Sequence, residues 1–179
     1  MFFLTLGNAH AGTPVVVDLI TFTAHIEGKD YRLEAKIYKP EDSERHPAVV
    51  MTHGRAGPTP ARNPQEVNNH APICAALAAK GYVVAMVVRR GYGNSDGYGF
   101  WDSGEYRNST VDSGLVGAKD LEATVKYLQT RPDVLQDKIA IMGHSQGGWI
   151  ALASSTIDIP GVRGVVNFTV AVVDCRVIC

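Results

Sequence analysis

The sequence predicts an α/β protein, a three-layer α/β/α sandwich whose sheet is mostly parallel and carries an antiparallel hairpin at its N-terminus. From Pro47 onward, short apolar runs rich in β-branched residues alternate with segments of helical periodicity. Such runs are typical of parallel strands covered on both faces. Because right-handed crossovers join parallel strands, the intervening helices are expected to cover the sheet on both sides.

Two β-rich runs, 15–23 and 31–38, precede that region. The polar turn formers Glu27-Gly28-Lys29-Asp30 lie between them, which predicts an antiparallel hairpin. Four later apolar runs predict the remaining strands. These runs are 48–51, 82–88, 138–142 and 162–173.

Three helices are predicted between the later strands. The first has Pro72 in its first turn, an apolar face and a stop at Gly81. Ile73, Ala76, Leu77 and Lys80 lie at helical spacing, and the first three of them form that face. The second helix ends before Pro132, and the third covers 148–155. The second buries a stripe formed by Ala118, Leu121, Val125 and Leu128.

The N-terminal residues 1–14 are interpreted as a flexible end or the remnant of a leader, and residues 15–179 as one domain. Residues 2–6 are apolar, and residues 9–11 have the small-x-small form of a signal-peptidase site. A basic n-region is missing and the apolar run is shorter than the ~7 residues of an h-region. A cytoplasmic and an exported location therefore both stay open.

Composition and charge exclude several classes of function. A formal net charge of -1 with scattered Lys and Arg argues against a nucleic-acid partner. A membrane-spanning segment of ~20 apolar residues is absent from the sequence. The three cysteines lack metal-site spacing, so no metal or other cofactor is expected. Cys74 is interpreted as a buried apolar filler, whereas Cys175 and Cys179 could pair only in an oxidising compartment.

The motif Gly143-His144-Ser145-Gln146-Gly147 carries the predicted chemistry. It matches G-x-S-x-G between a predicted strand and a predicted helix, the context in which this motif presents a nucleophile. The turn is so tight that side chains at the two glycine positions would collide with neighbouring backbone. Ser145 is therefore predicted to be the nucleophile, with a helix N-terminus favouring negative charge beside it.

Two backbone N–H groups are predicted to form the oxyanion hole. One is the N–H of Gln146, directly after the serine. The other is expected from the loop that follows strand three, where His53-Gly54-Arg55 is found. Gly54 lets the backbone approach the site, and the N–H of Arg55 is the predicted donor.

Together, His53-Gly54-Arg55, residues 90–97 and residues 143–148 resemble the α/β-hydrolase superfamily, most closely dienelactone-hydrolase-like and prolyl-oligopeptidase-like esterases. The resemblance extends from about residue 20 to 169. It implies an eight-stranded sheet and a triad in the order serine, acid, histidine. The expected reaction is hydrolysis of a small carboxylic ester through an acyl-enzyme at Ser145, with a peptidase as an alternative.

The triad is incomplete in this sequence. No histidine follows Ser145, so the resemblance implies that strands seven and eight are missing, as a truncated or frameshifted reading frame would produce. Asp174 is the candidate acid. His53 is assigned to the oxyanion loop and His144 is expected to point away from the site, which leaves His70 as the candidate base. A hydrolase domain without real turnover is therefore the rival interpretation.

Two further expectations concern ligands and assembly. Residues 91–97 are glycine-rich but do not open a helix, which argues against a dinucleotide site. The aromatic residues in 98–104 are expected to line an acyl pocket or simply to pack within the loop. Strand 162–173 would leave an unpaired apolar edge, which predicts a homo-oligomer through that strand.

Overall fold

The computed structural model describes residues 13–54, 64–97 and 110–170, and six strands in these ranges form one mixed sheet. The strands are β1 (Val15–Ile26), β2 (Lys29–Pro40), β3 (His46–Thr52), β4 (Val83–Val87), β5 (Val134–Ser145) and β6 (Val162–Val170). Their order across the sheet is β1-β2-β4-β3-β5-β6. The pairs β3–β4, β3–β5 and β5–β6 are parallel, and β2 runs antiparallel to both of its neighbours.

Helices cover both faces of this sheet. They are α1 (Ala71–Ala78), α2 (Thr110–Gln129) and α3 (Gln146–Ser154), and a short 3-10 helix, η1 (Pro64–Asn68), precedes α1. None of the helices in the described ranges is both long and apolar enough to cross a membrane. The core of α1 lies on one face of the sheet, and the core shared by α2 and α3 lies on the other.

Alternation along the central strands separates the two cores. In β3, Val49 and Met51 pack with α1, whereas Ala48 and Val50 pack with the α2 and α3 side. Successive side chains of a strand point to opposite faces, so a strand that is apolar at every position must be covered twice. The predicted three-layer α/β/α architecture is confirmed.

The N-terminal hairpin is confirmed and is longer than predicted. Its register runs from Val15 opposite Pro40 to Ile26 opposite Lys29. Glu27 and Gly28 form the two-residue turn, with φ of 52° and 77°. Positive φ at both positions suits the twist of a tight hairpin.

The helix predictions succeed for α2 and fail in part for α1. Ala118, Leu121, Val125 and Leu128 are all fully buried, as the predicted stripe requires. In α1, Cys74 and Ala78 are fully buried, whereas Ile73 is 39% exposed. The predicted apolar face of α1 is therefore wrong, because nearly every residue of this short helix is apolar and periodicity cannot choose among its faces. The interpretation of Cys74 as a buried filler is confirmed, and burial raises the pKa of its thiol to about 12.

The strand ends that are expected to carry the site meet at one edge of the sheet. The parallel strands β3, β4 and β5 end at Thr52, Val87 and Ser145. The register places Thr52 opposite both Val87 and Gly143.

Several predicted residues lie outside the described residues. They are Arg55, the aromatic residues in 98–104, Asp174, Cys175 and Cys179.

The outer strand β6 has one strand neighbour, β5, within the described part of the sheet. Its Val166 is 43% exposed. An outer strand with an exposed apolar side chain favours pairing with another chain. We therefore propose that this strand mediates self-association of the 179-residue chain.

A charge at Val166 is expected to weaken this association. Lysine on an edge strand opposes strand pairing, so Val166→Lys should lower the weight-average mass in light scattering at high concentration. Leu19→Lys is the matched control, because Leu19 is 61% exposed on β1 at the opposite edge. A monodisperse wild-type monomer, or loss of association in the Leu19 variant alone, would contradict the proposal.

Candidate active site

Ser145 lies in a strained turn between β5 and α3. It is the last residue of the strand and the N-cap of the helix, with φ of 54° and ψ of -122°. An L-residue rarely adopts positive φ, and outliers of this kind cluster at functional sites. The free N–H groups of the first helical turn lie beside the serine. A negative charge that develops near its hydroxyl would therefore be stabilised.

The glycines of the motif are required by close backbone contacts. A Cβ atom on Gly143 would overlap the carbonyl group of Gly147. A Cβ atom on Gly147 would overlap the carbonyl oxygens of Thr52 and His53 at the end of β3. The predicted collision at both positions is confirmed, and the contacts show that the turn is pressed against the β3 terminus.

Gly54 brings the β3 loop against the serine. A Cβ atom built on Gly54 would lie 3.3 Å from the Cβ of Ser145 and 3.3 Å from Nδ1 of His144. Gln146, whose N–H is one predicted oxyanion donor, is the first residue of α3. The structure thus brings together Ser145, Gln146 and the loop from which Arg55 is predicted to donate.

A cavity of about 220 Å³ opens beside the serine. It is lined by Gly54, Glu66, Asn69, His70, His144 and Ser145. His70 has φ of 61° at the N-terminus of α1, and its ring centroid lies 5.0 Å from that of His144. The expectation that His144 points away from the site is wrong. Both rings also contact Phe168 of β6, which holds the pair at the cavity wall.

The candidate base His70 shares this cavity with Ser145 but does not hydrogen-bond to it. Within the described ranges, no hydrogen bond joins the Ser145 hydroxyl to a histidine. Partial burial lowers the pKa of His70, and the neighbouring His144 lowers it further. A lowered pKa keeps the imidazole neutral near pH 7, the form that can accept a proton. The role of His70 stays a prediction.

His53, by contrast, is a buried structural residue. Its Nδ1 lies 2.7 Å from the carbonyl oxygen of Gly54 and 3.0 Å from Oε1 of Glu66. The backbone N–H of Arg89 donates to its Nε2 at 3.1 Å, which assigns the proton to Nδ1. Burial, and then the charge of Arg89, lower the pKa of His53 to about 4. The contact with Glu66 is therefore a hydrogen bond from a neutral ring.

Arg89 and Glu66 are site components that the sequence analysis missed. Arg89, only 1% exposed, extends its guanidinium from the end of β4 to the β3 loop and to the helix that follows Ser145. Glu66 is nearly buried in η1. Burial raises the pKa of its carboxyl group, but the bond from His53 and the charge of Arg89 outweigh burial, so the net shift is downward. The sequence contains one signal for Arg89, since a pair of arginines follows an apolar strand directly.

The described residues of the site supply polar groups for nucleophilic chemistry. Within the described ranges, no three His, Cys, Asp or Glu side chains lie close enough together to hold a metal ion. The site offers the Ser145 hydroxyl, backbone N–H groups at a helix N-terminus and two imidazoles in one small cavity. Such groups suit attack on a polarised carbonyl carbon.

The fold and the turn define the chain as an α/β hydrolase by class. It is similar to the structure of the α/β hydrolase GrgF from Penicillium sp. sh18, with a TM-score of 0.61 and 22% identity over 87% of this chain and 46% of that one. It is also similar to the structure of esterase Est22, with a TM-score of 0.54 and 21% identity over 80% of this chain and 39% of that one. At these identities the likeness is one of fold.

Within that class, the sequence profile of the dienelactone hydrolase family matches residues 33–171, and the chain belongs to this family. A Synechocystis protein named "Putative carboxymethylenebutenolidase" is 25% identical over 161 residues, which cover 86% of this chain and 60% of that protein. The resemblance to dienelactone hydrolases that residues 53–55, 90–97 and 143–148 indicated is confirmed. The chain spans between 39% and 60% of the length of these three proteins.

The low pKa of His53 predicts a loss of stability in weak acid. As the pH falls below 6.5, the unfolded chain gains a proton at His53, whereas the folded chain stays neutral there until about pH 4. The contribution of His53 to the free energy of unfolding is complete above pH 6.5. About 3 kcal/mol of it is lost as the pH falls toward 4. The free energy of unfolding of His53→Asn, measured in urea across this window, should fall less than that of wild type.

Other groups also titrate in this window, so the comparison needs a matched control. His25 is exposed on β1. His25→Asn is the matched control for the replacement of a histidine by an asparagine. Equal pH dependence of the His53 variant and wild type would show that His53 is not held neutral by the fold.

Proposed function

We propose that the chain is a serine hydrolase that cleaves carboxylic esters through an acyl-enzyme at Ser145. The observation that carries the proposal is the backbone of Ser145, at φ of 54° and ψ of -122° between β5 and α3. A residue is held in such a conformation only where the surrounding structure enforces it. Here this conformation occurs at the start of a helix, and Ser145 lines a cavity.

The proposed reaction has two steps, acylation of Ser145 and hydrolysis of the acyl-serine. The Ser145 oxygen attacks the ester carbonyl carbon as its proton passes to a general base, and the carbonyl oxygen becomes an oxyanion. The N–H groups of Gln146 and Arg55 are the proposed donors to that oxygen. Collapse of the intermediate breaks the bond to the alcohol, which leaves with a proton. Water then cleaves the acyl-serine by the same sequence.

Ester substrates are supported over other acyl compounds by the relatives. A dienelactone is a cyclic carboxylic ester, and its hydrolases give their name to the family whose profile matches residues 33–171. A protein of the same fold is called an esterase. A peptidase remains the second candidate of the same chemistry, and matched ester and anilide substrates separate the two.

Ser145 is expected to react covalently with a fluorophosphonate probe. The half-buried Ser145 hydroxyl at the turn attacks phosphorus as it would a carbonyl, so the wild-type chain should gain one phosphonyl group on the peptide that contains Ser145. Ser145→Ala should abolish the adduct detected by mass spectrometry. Ser155→Ala is the matched control, because Ser155 is an exposed serine at the other end of α3. Labelling that persists without Ser145 would refute the proposed nucleophile.

The rival interpretation is a domain without real turnover. It depends on whether the chain holds a general base beside Ser145. Residues 146–179 contain no histidine, and both ring nitrogens of His53 are hydrogen-bonded, one to Glu66 and the other to the backbone N–H of Arg89. Of the described histidines, His70 and His144 share the cavity with Ser145. Asp174 remains the proposed acid. Loss of a triad member in a serine hydrolase leaves about 10³- to 10⁴-fold acceleration over water.

Hydrolysis of nitrophenyl acetate by the 179-residue chain is expected to be feeble. Without a positioned base, the rate should change little in His70→Ala or His144→Ala, because the oxyanion donors and substrate binding supply what acceleration remains. The measurement is kcat for wild type, for both variants and for the exposed control His25→Ala. A kcat of about 1–10³ s⁻¹ that one cavity variant abolishes would place the base in this chain and overturn the incomplete-triad interpretation.

A further inference from the structure

The Arg89 guanidinium connects the two segments from which the oxyanion donors are proposed to come. On the β3 side, Nη1 donates to Oγ1 of Thr52 at 2.7 Å and to the carbonyl oxygen of His53, and Nη2 donates to the carbonyl oxygen of Gly54 at 3.0 Å. On the other side, Nη2 donates to Oε1 of Gln146 at 3.1 Å. One planar group therefore spans the β3 loop and the first residue of α3.

Each end of this connection bears on a proposed donor. The carbonyl of Gly54 belongs to the peptide unit whose nitrogen is that of Arg55, and Arg55 itself lies outside the described residues. Holding this oxygen fixes the end of the described β3 loop, the segment from which the second donor is proposed. At the other end, Oε1 of Gln146 also accepts from the Tyr92 hydroxyl at 3.3 Å, so this side chain is held from two sides.

The hydrogen bonds from the Arg89 guanidinium also affect how strongly backbone N–H groups can donate. A cation that donates to a carbonyl oxygen polarises the peptide unit, and hydrogen bonds in such a chain strengthen one another. The N–H of the polarised unit becomes a stronger donor to a developing negative charge. Charge-assisted bonds are about twice as strong as neutral ones, so a guanidinium suits this task better than an amide side chain.

The burial of Arg89 is costly and is not offset by an ion pair among the described residues. The neighbouring Arg90 is equally buried, but its Nε and backbone N–H both bind the carboxylate of Asp120. Arg89 instead binds carbonyl and hydroxyl oxygens, while Glu66 and Asp120 act on it only through longer-range charge. A buried cation held by uncharged oxygens alone is expensive, and a role at the site accounts for its presence.

We propose that Arg89 is a positioning residue that holds and polarises the oxyanion hole by joining the β3 loop to Gln146. The inference rests on the proposed hydrolysis at Ser145 and adds the group that aligns its donors. The competing explanation is that Arg89 only stabilises the fold. The two differ in prediction, since a positioning role affects reaction at Ser145 in folded protein, whereas a structural role acts only through the folded fraction.

The test compares the rate of Ser145 phosphonylation in Arg89→Met and Arg90→Met. Both variants remove a buried guanidinium from consecutive positions, but the hydrogen bonds of Arg90 to described residues go to Asp120 and to the carbonyl oxygen of Val116. At a temperature where circular dichroism shows both variants folded, Arg89→Met should react about 10- to 100-fold more slowly than wild type. Arg90→Met should stay within about threefold of wild type.

A milder variant keeps the test decisive if Arg89→Met does not fold. Gln146→Ala removes one end of the connection and keeps the Gln146 N–H, and it should slow phosphonylation by about 3- to 10-fold. Where both single variants fold, the double variant should be no slower than Arg89→Met alone, because the two side chains act as a unit. Fully additive effects, or an unchanged rate in Gln146→Ala, would overturn the positioning role.

These outcomes are distinct from failure of the proposed function. Wild type that is labelled at Ser145, with Arg89 and Gln146 variants labelled equally fast, overturns the inference and leaves the nucleophile in place. Wild type that is not labelled at Ser145 overturns both.

Discussion

The close approach of the β5–α3 turn to the end of β3 leaves no space for side chains at Gly143 and Gly147, and much of the site follows from that contact. It forces Ser145 into a conformation that L-residues rarely adopt. It also puts the first N–H groups of α3 beside the β3 loop, from which Gly54 reaches the serine. Chain packing thus brings Ser145, the start of α3 and the β3 loop together in the same step.

Buried polar groups on the side of β4 keep the β5–α3 turn close to the end of β3. His53 is held neutral between Glu66 and the backbone of Arg89, and the Arg89 guanidinium reaches across to Gln146. Each group would be expensive to bury alone, and most of its hydrogen-bonding atoms meet partners of fixed geometry, although Nε of Arg89 meets none among the described residues. The loops at this edge of the sheet are consequently held by directional bonds, which suits a site whose donors must be aligned within a fraction of an ångström.

The cavity histidines illustrate how position along the chain can mislead. His144 precedes the serine on β5 and was expected to face away, yet it lines the same cavity as Ser145 and contacts His70. The turn departs from regular strand geometry, so the alternation rule for side chains fails at its last residues. His70 enters the cavity only because η1 and α1 fold over the strand ends, an arrangement of distant segments that no local pattern encodes.

The sequence by itself determined the α/β layers, the hairpin, the buried stripe of α2 and the turn at Ser145, because these depend on local periodicity and on glycines at short spacing. Tertiary structure decided which face of α1 is buried, since Cys74 and Ala78 face the sheet while Ile73 does not, although all three are apolar. It also decided the partners of Arg89. A cation after an apolar strand is unremarkable in sequence, and only the meeting of β3, β4 and α3 supplies the oxygens that make its burial possible.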